Sequence, residues 1–130
     1  MVHVDFLTVL VAAVVYFIMG IAWYSPYLFG AIWLRLKGID KKKMRKNIFS
    51  YLGSFLVALI LSYFLSLLEI YMGATSFWDG VVAGFVIYLG FVFTTQIPSI
   101  IWIKNNYKLF LIDNFFYFLS FMVVGGILVG

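Results

Sequence analysis

The sequence predicts an all-α membrane protein, four transmembrane helices in a single domain over residues 1–130, with both termini outside. Three observations predict it. Of 130 residues, 65% are hydrophobic and only 11% are charged, and the mean hydropathy is +1.11. A soluble domain is about 45–50% apolar and about a quarter charged, and so small a globule has no interior large enough to hide the excess. The apolar residues fall into four runs, each near the roughly 20 residues needed to cross ~30 Å of hydrocarbon. Finally, seven of the nine Lys and Arg residues lie between Arg35 and Lys46, and the other two are Lys104 and Lys108.

The first run, about residues 5–25, is entered without basic residues and followed by them, unlike a cleavable signal peptide. Ser25-Pro26 interrupts it, because proline lacks an N–H and crowds the preceding turn. Residues 27–36 resume a helical pattern, as a short interfacial helix or a bent continuation of the span. The second span, about 47–68, carries small residues at every fourth position: Ser50, Ser54, Ala58, Ser62 and Ser66. Between helices in lipid, adhesion comes largely from close backbone approach through such residues, so they form a candidate packing seam. The alternative is serines bonding back to their own helix carbonyls.

Residues 69–79 read as a loop without Lys or Arg, in which Glu69 is expected to be solvated. Ser76 with Asp79 resembles a capping box. The third span, about 80–103, opens on a Gly80/Gly84 small-xxx-small pair, which joins the candidate seam. Pro98 is expected to break its hydrogen-bond ladder, with Thr94, Thr95 and Gln96 re-satisfying the freed groups. The fourth span, about 109–129, ends in a glycine-rich stretch. Gly20, Pro26, Trp33 and Arg35 run faintly parallel to Gly90, Pro98, Trp102 and Lys104, as a parallel repeat of two hairpins would require.

The charges orient this scheme. With the 35–46 loop inside, all nine cations lie inside with Asp40 and Asp113, while Asp5, Glu69 and Asp79 lie outside. The Lys/Arg bias of short loops sets orientation, and it predicts the cytoplasmic membrane with N- and C-termini outside. Aromatic residues at the expected boundaries agree, Trp33, Trp102 and Tyr107 within and Tyr71 and Trp78 without. The net charge of +4 does not point to nucleic acid, since the cations form one cluster beside a span and accompany no recognition fold. Arg35, Lys41, Lys42, Lys43, Arg45 and Lys46 are instead expected to meet anionic lipid headgroups.

Little in the sequence supports catalysis. There is no cysteine and one histidine, so thiolate chemistry and disulfides are excluded. No cofactor is implied and an enzyme is not expected. His3, with a free terminal amine, is a remote candidate for Cu(II) or Ni(II). The more substantial candidate is a polar pocket at the two proline breaks, drawn from Tyr24, Ser25, Thr94, Gln96, Asp113 and Asn114. An ionisable residue inside a span is a functional candidate by default. Against this, Asp113 lies near a helix start, where the dipole favours a carboxylate, and Lys104, Lys108 or Arg35 could pair with it.

The stretch Gly20 to Trp33 carries Trp23, Tyr24, Ser25, Pro26, Phe29, Gly30 and Trp33. It resembles the Trp-Tyr-Ser-Pro, Phe-Gly, Trp signature of an uncharacterised family of small four-span prokaryotic membrane proteins. The resemblance implies the fold and supplies no activity. Two functional readings stand. One is a non-enzymatic helix-packing subunit of a homo-oligomer or larger membrane complex, favoured by the seam and by the expected lack of buried charge. The other is an oligomeric transporter or pore for a small solute or protons, using the polar pocket.

Overall fold

A computed structural model describes residues 4–25, 32, 33, 35, 48–98 and 107–129, and the described residues are all-α. The order is α1 (Phe6–Trp23), α2 (Ile48–Tyr71), α3 (Phe77–Ile87) and α4 (Tyr107–Val129). Beyond α3 the chain stays helical, π-helical over Tyr88–Phe93 and α-helical again over Thr94–Gln96. Together these give four helices long and apolar enough to cross a membrane, the architecture of a multi-pass membrane protein. The residues proposed for the interfacial helix fall mostly outside the described residues, as do Pro26, Phe29, Gly30 and the 99–103 end of the third span.

The starts of α1 and α3 carry side-chain caps. Asp5 accepts hydrogen bonds from Leu7 N (3.1 Å) and from the Thr8 hydroxyl (2.8 Å), so α1 begins on an N-cap carboxylate. Ser76 caps α3 through Asp79 N, while Asp79 reaches back to the backbone N of Thr75. The capping box is therefore displaced by one residue from its usual form, in which the acid returns to the cap residue itself.

The second span corrects the expected boundary. Its helix runs three residues past Leu68 and stops at a Schellman motif: Gly73, at φ 77°, donates to Ile70 O and Ala74 N donates to Glu69 O. Only a glycine takes that left-handed position without strain. Glu69 thus lies in the last turn of α2. The expectation of a solvated loop residue is overturned, because its side chain is 1% exposed.

The third span is irregular earlier than Pro98. Its ladder widens at Tyr88–Phe93 around Gly90, and the threonine hydroxyls downstream take up carbonyls there. Thr94 donates to Gly90 O at 2.7 Å and Thr95 to Val92 O at 2.8 Å. π-helical turns inside α-helices are rare, and here two threonine hydroxyls bond to carbonyls of the widened turn.

The helices pack as two hairpins. The α3–α4 pair makes the most extensive contact, α1–α2 the next, and α1–α4 joins the hairpins, whereas α2 barely touches α3. Between α2 and the α3–α4 pair lies an open apolar groove of about 310 Å³, with Leu61 and Leu65 facing Ile87 and Phe121. Ala12, Leu65, Ile87, Tyr88, Phe121 and Val124 form the core. Large apolar side chains such as Phe64, Phe91 and Leu111 are exposed, as a helix facing lipid requires.

Candidate functional site

The two ends of the bundle are built differently. At one end, the end of α1 meets the start of α4. Gly20 faces the Phe116 ring, whose edge would lie at an ordinary contact distance of 3.7 Å from a Cβ there. One turn on, the Trp23 indole stacks on Phe115 (5.8 Å) and donates to Ile112 O at 3.1 Å. The adjacent Tyr24 hydroxyl donates to Asp113 Oδ1 at 2.5 Å, and the Trp33 indole donates to the same oxygen at 3.1 Å. The rings of Tyr24 and Trp33 meet edge to face at 5.7 Å. Asp113 is therefore a half-buried carboxylate held by two donors from the chain that follows α1. Bonds from neutral donors to a carboxylate are shorter and stronger than neutral pairs, so this clamp fixes α1 and the segment beyond it against α4.

The remaining pocket candidates divide. Asn114 is buried, donates to Phe110 O on its own helix at 3.0 Å, and accepts from the Tyr88 hydroxyl at 3.2 Å. It ties the third span to the fourth beside the clamp. Ser25 donates to Ala22 O and Thr94 to Gly90 O, both within their own chain segments, and Thr94 is exposed. Gln96 is half-buried. Within this set, Tyr24 and Asp113 bond to each other directly. Sequence reading missed Trp33 and Tyr88 as partners, although both are aromatic groups with a polar tip inside or beside a span. Arg35 and Lys108 are exposed. Lys41, Lys42, Lys43, Arg45, Lys46, Lys104 and His3 lie outside the described residues, and those described include no group of three His, Asp or Glu placed to hold a metal.

At the other end, backbones touch. A Cβ on Gly80 would overlap the carbonyl of Gly125, and one on Gly84 the carbonyl of Phe121, so α3 and α4 approach as closely as glycine allows. Of the expected seam on α2, Ala58, Ser62 and Ser66 are buried, but Ser54 is exposed and bonds back to Ser50 O at 2.9 Å. Ser50 is half-buried. The buried stripe follows the 3.6-residue turn instead of a strict step of four, and runs from Ala58 through Ser62, Leu65 and Ser66 to Glu69. A Cβ on Gly125 would meet Gly80 O at 2.5 Å and Glu69 Oε1 at 2.7 Å, which places the carboxyl group against the α3–α4 contact. Neither Glu69 oxygen has a hydrogen-bond partner, nor does the buried Ser62 hydroxyl.

A four-helix, multi-pass membrane protein with one clamped carboxylate and one buried carboxyl group is the class that this geometry defines. The chain belongs to the family described as "Protein of unknown function (DUF1761)", whose model matches residues 7–129. No curated protein and no solved structure matches the chain.

Proposed function

We propose that this is a non-enzymatic integral membrane protein that works as a helix-packing subunit, in a homo-oligomer or attached to other membrane subunits. It would lie in the cytoplasmic membrane with the Arg35–Lys46 side inside among anionic headgroups and both termini outside. The observation that carries this reading is the Asp113 clamp. The one carboxylate at the sequence's candidate pocket is taken up by Tyr24 and Trp33 in holding helices together. Exposed apolar side chains on every helix leave faces for lipid or for further helices.

The absence of cysteine supplies the test. Single cysteines at Ile18, Leu56, Val82 and Leu111, one exposed position on each span, are oxidised in native membranes. Cross-linked dimers confined to one or two of these positions are expected. A monomeric mass in nanodiscs together with no cross-link at any position would end the subunit reading.

A transport role is favoured by a different observation. Ser62, Ser66, Glu69, Asn114 and Ser120 are buried polar side chains within the bundle, where the sequence had promised no buried charge. Cysteines at Ser62, Ser66 and Ser120 that all react with an impermeant maleimide would favour it. Reaction confined to the helix ends would remove it.

A further inference from the structure

The chain has a single glutamate, Glu69, and its surroundings suit an acid and not a salt. Its side chain is 1% exposed and both oxygens lack a partner. The Lys and Arg residues among those described are Arg35 and Lys108, both at the Asp113 end. An ionised carboxylate taken from water without a partner is costly enough that such groups neutralise instead. Its position adds to this, because the last turn of a helix is the negative end of the dipole.

Other occupants fit poorly. A hard metal ion takes about six or more oxygen ligands, whereas this carboxyl group is packed against Gly125, where a Cβ would meet it and the Gly80 carbonyl. A cationic side chain from another subunit cannot reach a group that is 1% exposed. A proton needs one acceptor, and a carbonyl engaged in a helix keeps a second lone pair for it.

We propose that Glu69 is a proton-binding site, at which the neutral acid closes the end of α2 onto the Gly80–Gly125 contact. The proton is taken from the solution on the side that carries the chain ends. It returns there when the acid ionises and α2 separates far enough for water to reach the carboxylate. Among the described residues, the other titratable groups around it are few. On α2, Tyr71 is exposed; at the start of α3, Asp79 is exposed and engaged with Thr75 and Ser76; at the start of α1, Asp5 is engaged with Leu7 and Thr8. On α4, residues 118–129 contain no ionisable side chain. Among the described residues, burial and not a neighbouring charge therefore governs the site. This inference goes beyond the packing role and does not depend on it.

Because Glu69 is the only glutamate, labelling glutamate with ¹³C at the carboxyl carbon marks this site alone in the unaltered protein. Isotope-edited infrared spectra of the full chain in lipid are recorded across pH. The expected result is a protonated-carboxyl C=O band at neutral pH, shifted by the label, unchanged when Na⁺ replaces K⁺, and lost to carboxylate bands in alkaline buffer. Carboxylate bands alone at neutral pH, or a band that responds to the metal ion, would overturn the proposal. The linked opening is read by hydrogen exchange at the Ala74 and Gly80 amides. Alkaline buffer is expected to accelerate it in the unaltered chain beyond the rate in Glu69→Gln at the same pH. Equal rates in the two would overturn the coupling.

Discussion

The two carboxyl groups buried or half-buried in this bundle are held in opposite ways. Asp113 has donors arranged around it: two aromatic side chains reach it from beyond the end of α1 and share one of its oxygens. Glu69 has none, and instead of polar partners it meets a place where glycines bring two backbones together. The difference teaches that a charge in a membrane bundle can be accommodated by supplying hydrogen bonds or by removing the charge. The first requires long, well-placed side chains. The second requires only tight packing, which small residues provide.

The comparison breaks most severely at the glycines. Gly84→Val would drive a branched side chain into the Phe121 backbone, and backbone cannot step aside as a flexible side chain can. Overpacking of this kind costs about 3 kcal/mol or more. Denaturant titration in detergent micelles should show the α3–α4 hairpin failing to hold, with Glu69 exposed. Unchanged stability would mean that the helices do not approach so closely.

A sharper contrast comes from deleting each carboxyl group. Asp113→Ala leaves the Tyr24 hydroxyl and the Trp33 indole without their acceptor, and should cost about 2–3 kcal/mol, as losing bonds to a charged group does. Glu69→Met removes a group with no partner and keeps its volume, so stability at neutral pH should stay within about 0.5 kcal/mol or rise. The same unfolding assay on both variants checks the ordering. Equal losses would show that Glu69 is as well bonded as Asp113.

Much of this was legible beforehand, and the misses share a cause. Hydropathy located all four helices, because lipid imposes one requirement over some twenty residues and the pattern is strong. Residue pairs across helices were not legible. Tyr24 and Asp113 could be assigned to one polar cluster, but nothing in the order of residues says that Trp33 returns to the same oxygen. Glu69 was misread because a charge was allowed to end the span. Gly73 was the better signal, since a glycine just past an apolar run marks the helix end, and continuing the buried stripe from Ala58, Ser62 and Ser66 at 3.6 residues per turn reaches residue 69. The widened turn at Gly90 had a weaker signal, hidden behind the louder one of Pro98.

Thr94→Val tests that turn with a smaller effect. The hydroxyl that meets Gly90 O would be lost while the shape is kept, at about 1 kcal/mol. Amide exchange over residues 88–97 should quicken, with little change at the Asp113 clamp.

The smallest effect is expected where a carboxylate stands in water, at Asp5, and it completes the series from clamped to buried to solvated acid. The bond from the Thr8 hydroxyl, with those from backbone N–H groups, holds the Asp5 carboxyl below its ordinary value. A group whose value is lowered by folding contributes stability that is present above the unfolded value and fades as pH falls through the folded one. The first turn of α1 should therefore fray in acid, below the usual carboxylate range, and stay closed at neutral pH. In Asp5→Asn the cap persists without a titrating group, so the Leu7 and Thr8 amide signals should lose this acid-dependent change while those of α2 to α4 do not move. An acid transition of the same size in both proteins would place its origin elsewhere, and Asp5 would then be a cap without electrostatic consequence.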